Sequence, residues 1–470
     1  MDGNHVFCYF YYIMRKNKQE ITVGFIALGC PKNIVDSERM LAEIAQSGML
    51  IAQEPENSDV VIINTCAFIE PAKKESLDAI QEAAGWKNNP TKRVKKIIVA
   101  GCLSERMGTE LIEQSKDVDA IAGLDYRDDI AQIIKDSLTS EKPLIYIEKT
   151  PGMQTALHDD RTRLLINASH WAYLRISEGC DRQCSFCTIP SIRGPFRSKQ
   201  PEIVLDEARE LVSSGAVELN VIAQDTTYYG RDLNIQNGLL SLILQLEEIE
   251  SLAWIRLLYL YPTGISDELI DTIAKSHKVV NYLDIPIQHI NDRILKSMRR
   301  PDTKAQIMRL IEKLRSEIPD IVLRTTLIVG FPGETDEQFD ELLEFINWAQ
   351  FDALGCFKYF PEEGTHAATL PDQVPEDIKN ARIEEVMLRQ QEIVFAKNNS
   401  RIASKITCLV DARESKRSFR GRFYGQAPDI DGVCLIQSKA KKTNPKLLPG
   451  NFVDVKVVDF KDYDLIAEPI

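Results

Sequence analysis

The stretch that decides the fold is SEGCDRQCSFCTIP, residues 177–190, in which Cys180, Cys184 and Cys187 form a C-x3-C-x2-C array. It continues from WAYLRIS, an apolar segment typical of a buried strand. Strand and helix patterns alternate about six times between residues 166 and 395, which predicts a partial (β/α)6 barrel rather than a closed eight-fold one. Because barrel active sites lie at the carboxyl ends of the strands, we expect the cysteine array at the mouth of this barrel.

The ligand count of the array indicates its chemistry. Three thiolates can hold three irons of a four-iron cluster, and no fourth cysteine follows nearby. Zinc is the alternative, but zinc usually takes four Cys or His ligands, and the nearest later histidine is His277. With the aromatic Phe186 before its last cysteine, the array resembles that of the radical-SAM superfamily. The resemblance implies a [4Fe-4S] cluster whose open iron binds S-adenosyl-L-methionine and cleaves it to a 5′-deoxyadenosyl radical.

Other barrel segments resemble the cofactor-binding edges of that superfamily. IAQDT and IPIQH end the second and fourth barrel strands, and LRTTLIVGFPGET ends the fifth. The resemblance therefore implies these cofactor-binding residues: Phe186, Gln224, Asp225, Gln288, Arg324, Gly330 and Glu334. A solvated strand end is the alternative for each segment. His289 is a weaker candidate, because a lone histidine is often a core or surface residue.

The region before the barrel, residues 21–150, alternates continuous apolar runs with amphipathic helical segments, which predicts an α/β domain with a parallel sheet. Cys30, Cys66 and Cys102 each stand where a strand gives way to a helix. Since all such turns of a parallel sheet lie at its carboxyl edge, we expect the three thiols to converge and to form a cluster site with one open iron. Three separately buried cysteines are the alternative, because free cysteine is among the most buried residue types.

The last region, residues 402–470, loses the helical periodicity. Its short alternating segments and turn residues predict a small antiparallel β-barrel of about five strands. Cys408 and Cys434 within it, and Cys356 in a barrel strand, are interpreted as structural. Residues 401–470 carry 13 Lys and Arg against 9 Asp and Glu, and RESKRSFRGR contributes Arg413, Lys416, Arg417, Arg420 and Arg422. This basic run could contact RNA, although charge runs are usually solvated faces.

The whole chain has a formal net charge of −13 and ten cysteines. An acidic chain is a poor generic nucleic-acid binder and suits a basic protein partner or a small molecule better. We expect residues 1–20 to be a disordered extension, with translation beginning at Met14. No segment reads as an export signal or as a membrane span, so we expect a cytoplasmic protein whose cysteines bind metal rather than form disulfides.

The order of the three regions resembles the methylthiotransferase family. Its members join an N-terminal cluster domain, a radical-SAM domain and a C-terminal TRAM domain, expected here over 21–150, 166–395 and 402–470. Four stretches resemble the branch that modifies an aspartate of ribosomal protein S-twelve: ALGCPKNIVDSE, NTCAFIEPAKKESLDAI, RISEGCDRQCSFCTIPSIRGPFRSK and AQDTTYYGRD. The tRNA-modifying relatives typically have Gln and Met in place of Pro31 and Lys32, and Gly-Gln-Asn in place of Ala223, Gln224 and Asp225.

The resemblance implies two [4Fe-4S] clusters, the first on Cys30, Cys66 and Cys102 and the second on Cys180, Cys184 and Cys187, with all six cysteines catalytic. One S-adenosylmethionine would methylate a sulfur on the first cluster. Another would give the radical that takes hydrogen from the β-carbon of the aspartate, which then captures the methylthio group. The implied partners are ribosomal protein S-twelve, free or in the small subunit, and a flavodoxin- or ferredoxin-type reductant. A tRNA-adenosine methylthiotransferase and a non-catalytic iron–sulfur carrier are the alternatives.

Overall fold

The computed structural model describes residues 20–147, 159–438 and 447–470. Apart from Glu20, the predicted N-terminal extension, including Met14, lies outside these ranges. The chain forms two compact units that divide after Gln154, except that Thr162–Leu164 belong to the first. Within these ranges, none of the helices combines the length and the apolar character that spanning a bilayer requires.

The first unit is a parallel six-stranded sheet in the order β2-β1-β3-β4-β5-β6, which confirms the predicted α/β architecture. Its strands are β1 (Thr22–Ala27), β2 (Leu50–Ile51), β3 (Val60–Thr65), β4 (Lys96–Gly101), β5 (Ala120–Ala122) and β6 (Leu144–Tyr146). Its helices are α1 (Pro31–Gln46), α2 (Glu70–Lys87), α3 (Cys102–Met107), α4 (Thr109–Gln114) and α5 (Ile130–Thr139).

Burial explains the position of α1 on this sheet. Every residue of β3, VVIINT, is buried, as expected for a central strand that is covered on both faces. Met40 and Ile44, one helical turn apart on α1, belong to the same core cluster as Val23 and Ile62 of the sheet. This packing holds α1 against the sheet and places its first turn, next to Cys30, at the carboxyl edge of β1.

The second unit contains an open, parallel six-stranded sheet in the order β14-β13-β12-β11-β10-β7. The predicted partial (β/α)6 barrel is therefore confirmed. Its strands are β7 (Trp171–Arg175), β10 (Glu218–Ile222), β11 (Trp254–Leu257), β12 (Val279–Asp284), β13 (Val322–Val329) and β14 (Ala353–Lys358), with a separate pair β8 (Ser177–Glu178) and β9 (Arg197–Ser198). The helices are α6 (Ile189–Arg193), α7 (Pro201–Ser213), α8 (Gly238–Glu247), α9 (Asp267–Lys275), α10 (Asp292–Ser297), α11 (Lys304–Glu317), α12 (Asp336–Ala349) and α13 (Glu376–Arg401).

The C-terminal part of the second unit is a closed barrel of five strands. These strands are β15 (Lys405–Arg413), β16 (Ser418–Phe423), β17 (Cys434–Gln437), β18 (Phe452–Lys461) and β19 (Asp464–Pro469). Four of the pairings are antiparallel, as predicted, whereas β17 and β19 pair in parallel. Cys408 and Cys434 lie in the apolar core of this barrel, where they are packing residues.

The structure removes one residue, Arg422, from the predicted basic surface. It is almost fully buried, and its guanidinium bonds to Asp411 of the same small barrel and to Glu218 of β10. Glu218 in turn accepts a hydrogen bond from Arg256 of β11 at 2.9 Å. Arg422 therefore ties the small barrel to the (β/α)6 barrel, and the exposed basic run consists of the other four residues of RESKRSFRGR.

Candidate active site

The loop between β8 and α6 carries Cys180, Cys184 and Cys187. Its turns are fixed by backbone hydrogen bonds: the amide of Cys180 donates to the carbonyl of Gly194 at 3.2 Å, and the amide of Cys187 donates to the carbonyl of Cys184 at 3.1 Å. All three cysteines line one cavity of about 570 Å³. The loop follows the first strand of the sheet, as the sequence predicts, so the cavity lies at the carboxyl edge of the (β/α)6 barrel.

Burial disfavours the charged form of two thiols in this cavity. Burial raises the pKa of Cys180 to about 11. Burial, reinforced by the charge of Cys184, also raises the pKa of Cys187 well above its ordinary value. Within the described ranges, no three His, Cys, Asp or Glu side chains lie close enough to hold a single metal ion. Three thiols that line one cavity can hold three irons of a four-iron cluster, which would bind them as thiolates.

Ser185 and Phe186 anchor the loop to the end of α10. The amide of Ser185 donates to the carbonyl of Met298 at 3.0 Å, and its hydroxyl donates to the carbonyl of Ser297 at 2.8 Å. The ring of Phe186 packs against the apolar cluster that contains Ile294 and Met298. Phe186, predicted as a cofactor contact, is therefore placed where it also holds the loop against its neighbouring helix.

Two arginines stack on one tyrosine beside the loop. Arg182 lies within the cysteine array and donates from Nε to Asp225 at 2.7 Å. Its guanidinium lies 3.8 Å from the ring centre of Tyr261, and that of Arg300 lies 3.9 Å from the same centre. These cations place positive charge next to the cysteines. The buried Tyr261 hydroxyl has no hydrogen-bond partner among the described residues.

Glu178 connects the loop to Gln224. It directly precedes the loop and accepts hydrogen bonds from Arg175 and Arg193, both at 2.9 Å, and from the Gln224 amide at 2.7 Å. The buried Oε1 of Gln224 has no partner in the part of the chain that the structure describes. The structure thus places Gln224 and Asp225, at the end of β10, beside the cysteine loop.

Gln288 and His289 lie beyond the end of β12. Gln288 has a left-handed backbone, with a φ of 71°, and its amide and carbonyl bond to Thr326 and Ile328. His289 is fully buried, and its Nδ1 accepts the Asn291 amide at 3.0 Å, which assigns the ring proton to Nε2. Burial lowers the pKa of His289 to about 3, so the ring is neutral at physiological pH.

Gly330 and Glu334 begin and end the loop after β13. Gly330 has a φ of 70°, and a Cβ at this position would collide with the side chain of Lys379, so glycine is required. Glu334 is buried and accepts a hydrogen bond from Nη1 of Arg382 at 2.8 Å. Burial raises the pKa of Glu334 despite this partner. Glu334 is thus an internal support of the loop that Gly330 opens.

Arg324 does not line the cysteine cavity. It is the third residue of β13, and its Nη1 donates to Asp284 at 2.8 Å while its Nε lies 3.6 Å from Asp431 of the small barrel. It lines a second cavity of about 440 Å³, whose lining includes none of the six predicted ligand cysteines. The segment LRTTLIVGFPGET ends the fifth strand at Val329, as predicted, and Arg324 lies five residues before that end. Its role in cofactor binding stays a prediction.

The first unit brings Cys30, Cys66 and Cys102 to one edge of its sheet, as the topology predicts. Cys30 precedes α1, Cys66 follows β3 and Cys102 begins α3. The thiols of Cys30 and Cys102 lie 3.9 and 3.7 Å from the same atom, Oδ1 of Asn33. Cys66 packs on Gly29, where an added Cβ would lie 2.7 Å from the Cβ of Cys66. Their role as iron ligands stays a prediction that this convergence supports.

Asn33 is the residue that organises this edge. Its Nδ2 donates to the carbonyls of Leu28 and Thr65 at 3.1 and 2.8 Å. Those bonds join the ends of β1 and β3 and turn Oδ1 toward the thiols. The side chain is buried, so Asn33 fixes the spacing of Cys30 and Cys102 without being a ligand type that iron–sulfur clusters commonly use.

The chain matches three family descriptions: "Uncharacterized protein family UPF0004" over residues 22–123, "Radical SAM superfamily" over 174–346 and "TRAM domain" over 402–470. A relative from Syntrophomonas wolfei, named ribosomal protein uS12 methylthiotransferase RimO, is 43% identical over 95% of this chain and 100% of its own length. A relative of the same name from Geobacter sulfurreducens is 46% identical over 95% and 98%. The chain belongs to the RimO family of methylthiotransferases.

Membership of the RimO family fixes the class of chemistry. The chain is a radical-SAM methylthiotransferase, and its cofactors include an iron–sulfur cluster and S-adenosylmethionine. The fold is also similar to that of the radical S-adenosylmethionine methyltransferase TsrM from Kitasatospora setae, with a TM-score of 0.51 and 13% identity. That likeness covers 74% of this chain and 77% of TsrM, and it shows the fold alone.

Several residues of the site were missed by sequence reasoning. Arg182 could have been found, because it lies inside the cysteine array. Tyr261 and Arg300 carry no local signal, since they reach Arg182 only through the pairing of distant strands. Asn33 lies three residues after Cys30, but nothing in the sequence shows that its side chain turns back to the thiols.

Proposed function

We propose that this methylthiotransferase adds a methylthio group to the β-carbon of an aspartate in ribosomal protein uS12, the S-twelve protein of the small subunit. The observation that carries this proposal is the 41–46% identity to relatives named as uS12 methylthiotransferases. The identity extends over the cluster domain, the barrel and the small barrel alike, since the alignments cover about 95% of the chain. Two separate three-cysteine edges support it, because each leaves one position of a four-iron cluster without a protein ligand.

The bound cofactors would supply the chemistry: one S-adenosylmethionine gives its methyl group to a sulfide, and a second accepts one electron, breaks its carbon–sulfur bond and removes the β-hydrogen of the aspartate. Over the whole reaction, a C–H bond is replaced by a C–S bond. The other products are S-adenosylhomocysteine, methionine and 5′-deoxyadenosine. The electron that the second S-adenosylmethionine accepts is released when the C–S bond forms.

The side chains around each edge would position these groups. Cys180, Cys184 and Cys187 would hold the cluster that binds the radical source. The second edge, on Cys30, Cys66 and Cys102, would hold the cluster that carries the sulfur. Gln224, Asp225, Gln288 and Gly330 are grouped at the carboxyl edge of the (β/α)6 barrel, where a nucleoside cofactor would be expected. Tyr261 would offer its unpartnered hydroxyl as a hydrogen-bond donor there.

The charge distribution supports a basic protein substrate. The 70 C-terminal residues have a net charge of +4, which leaves −17 on the rest of the chain. An acidic body attracts a basic ribosomal protein, and its association with uS12 should weaken as salt is added. The exposed run of the small barrel, Arg413, Lys416, Arg417 and Arg420, would contact RNA if the substrate is the assembled subunit. A flavodoxin- or ferredoxin-type protein would supply the electrons that start the reaction.

The test is the intact mass of uS12 from cells that lack their own enzyme, with and without this gene. The proposal expects a gain of one S–CH2 unit that maps to an aspartate. Cys30→Ala and Cys187→Ala should each abolish the gain, whereas Cys356→Ala is the matched control, because Cys356 lies in β14 outside both edges. Purified, reconstituted protein should contain two four-iron clusters, and each triad variant should lose one.

The tRNA-adenosine alternative makes a different prediction in the same cells. New methylthio-adenosine in tRNA, together with unmodified uS12, would show that the substrate proposed here is wrong. An iron–sulfur carrier would modify neither molecule, and its visible absorption would not change when S-adenosylmethionine is added.

A further inference from the structure

Arg299 ends a helix in a conformation that normally selects glycine. It follows the C-cap of α10, Met298, and has a φ of 56°. Its amide donates to the carbonyl of Lys296 at 3.0 Å, and the next amide, of Arg300, donates to the carbonyl of Leu295 at 2.8 Å. This pair of bonds is the Schellman motif, in which the residue at the position of Arg299 is usually glycine. A side chain kept here at a cost in backbone stability points to a function of that side chain.

The same helix end is attached to the cysteine loop. Ser185, between Cys184 and Cys187, donates from its amide to Met298 at 3.0 Å and from its hydroxyl to Ser297 at 2.8 Å. Arg299 lines the cavity that the three cysteines share. The hydrogen bonds therefore hold the backbone of Arg299 at a fixed distance from the proposed cluster ligands.

Arg299 also differs from Arg182, the other arginine of the cavity, because its guanidinium is not bonded to another side chain in the described ranges. Arg182 is bonded to Asp225 and stacked on Tyr261. The side chain of Arg299 is exposed and makes no hydrogen bond or ion pair to any residue within the described ranges. The carboxylate of Asp181, which also lines the cavity, already accepts the amide of Phe196 at 2.9 Å.

We infer that Arg299 binds the carboxylate of the aspartate that is modified and thereby selects aspartate as the substrate side chain. This inference rests on the proposed function. The carboxylate lies one bond from the reacting β-carbon, so it must enter the cavity that the cysteines line. Thiolates bound to iron carry negative charge and would repel it. A guanidinium offsets that repulsion and matches the two carboxylate oxygens with two parallel donors.

The deciding variant is Arg299→Gly in the reconstituted holoenzyme, because glycine suits the backbone and removes only the side chain. The thermal midpoint should be at least that of the wild type, because glycine relieves the left-handed backbone. The iron content and the slow formation of 5′-deoxyadenosine without uS12 should equal those of the wild type. The kcat/KM for uS12 should fall about 10- to 100-fold, the range for loss of one charge-assisted hydrogen-bonded pair. Arg299→Lys should restore part of it. Gln350→Gly is the matched control, since Gln350 is a left-handed residue at the end of α12 and does not line the cavity.

A binding measurement provides a readout that is independent of turnover. Fluorescence anisotropy of labelled uS12, without reductant, should show that the wild type binds the natural protein more tightly than a variant whose target aspartate is asparagine. Arg299→Gly should bind both equally. If Arg299→Gly keeps the wild-type kcat/KM, or still discriminates between the two uS12 proteins, this inference is wrong and the proposed function is unaffected. Loss of iron or of 5′-deoxyadenosine formation in Arg299→Gly would also overturn it, because the residue would then serve the cofactor. Wild-type protein that leaves uS12 unmodified would overturn the proposed function and this inference together.

Discussion

Replacing Arg422 by methionine should destabilise the second unit far more than the same replacement at Arg420, two residues away on β16. Arg422 donates to both oxygens of Asp411, at 2.8 and 2.9 Å, and to Glu218 at 2.8 Å. Burial lowers the pKa of Arg422, but Glu218 and Asp411 outweigh burial and hold the pKa above its ordinary value. Arg422 therefore stays charged within a nearly dry contact between two barrels.

The loss in the free energy of unfolding depends on the partners that Glu218 and Asp411 would keep without Arg422. Removing one member of a buried ionic network costs about 3–5 kcal/mol, because a charge is left uncompensated. Here Glu218 would keep Arg256 and Asp411 would keep His170, at 2.9 and 2.8 Å. These contacts place the expected loss at the lower end, about 3 kcal/mol. Arg420 is exposed, and its replacement should change the free energy of unfolding by no more than about 0.5 kcal/mol.

Urea unfolding followed by tryptophan fluorescence measures this difference. Trp254 of β11, one of the four tryptophans of the chain, contacts the ring of Phe452 in the small barrel, with ring centres 4.9 Å apart. Part of the tryptophan emission therefore reports the contact between the two barrels. Arg422→Met should lower the midpoint of the transition that changes this emission, whereas Arg420→Met should not. Equal losses for the two variants, or a loss below about 1 kcal/mol for Arg422→Met, would refute the reasoning.

Three further outcomes follow from single residues of the two units. His289, with a folded pKa of about 3 against an ordinary 6.5, takes up a proton only on unfolding. The free energy of unfolding should therefore fall by about 2 kcal/mol between pH 7 and pH 5, and His289→Gln should remove that slope in urea titrations. Asn33→Ala removes the side-chain donor to the carbonyls of Leu28 and Thr65, so it should lower the free energy of unfolding by about 1–3 kcal/mol and lower the iron bound by the first unit. Gly29→Ala should also lower iron content, because its Cβ would press on Cys66. Gly48→Ala is its control, since Gly48 is equally left-handed but has open space around it; similar iron loss in both variants would show that backbone strain, rather than the clash, is responsible.

The parts of the site that could be predicted are those set by local spacing and by topology. The C-x3-C-x2-C array is a local pattern, and the alternation of strands and helices places it at a barrel edge without any knowledge of distant contacts. The convergence of Cys30, Cys66 and Cys102 required one more step, namely that turns after parallel strands share an edge. Both predictions need only the spacing of residues and the alternation of strands and helices, which can be read along the chain.

The positions of Arg422 and Arg324 could not be predicted, because they depend on contacts between segments distant in sequence. Arg420 and Arg422 stand in the same basic run, but only Arg422 faces Glu218, which is 204 residues away. The segment LRTTLIVGFPGET ends the fifth strand, as predicted, but β13 is eight residues long and Arg324 is its third residue. The strand register sets Arg324 opposite Asp284, the last residue of β12. Pairing register decides both positions, and register is not encoded in either segment alone.

The carboxyl edge of the (β/α)6 barrel groups several residues that depart from local rules, and this grouping is itself an argument for a ligand there. Twelve non-glycine residues in the described ranges have positive φ. Six are Asn or Asp, which tolerate that conformation in turns. Of the other six, Tyr259, Gln288 and Arg299 all follow β11 or β12 at this edge. Unpartnered buried atoms of Gln224 and Tyr261 lie at the same edge. Strained backbone and unsatisfied polar atoms persist where a bound group repays them, so cofactor binding should stabilise this edge of the barrel more than any other part of the second unit.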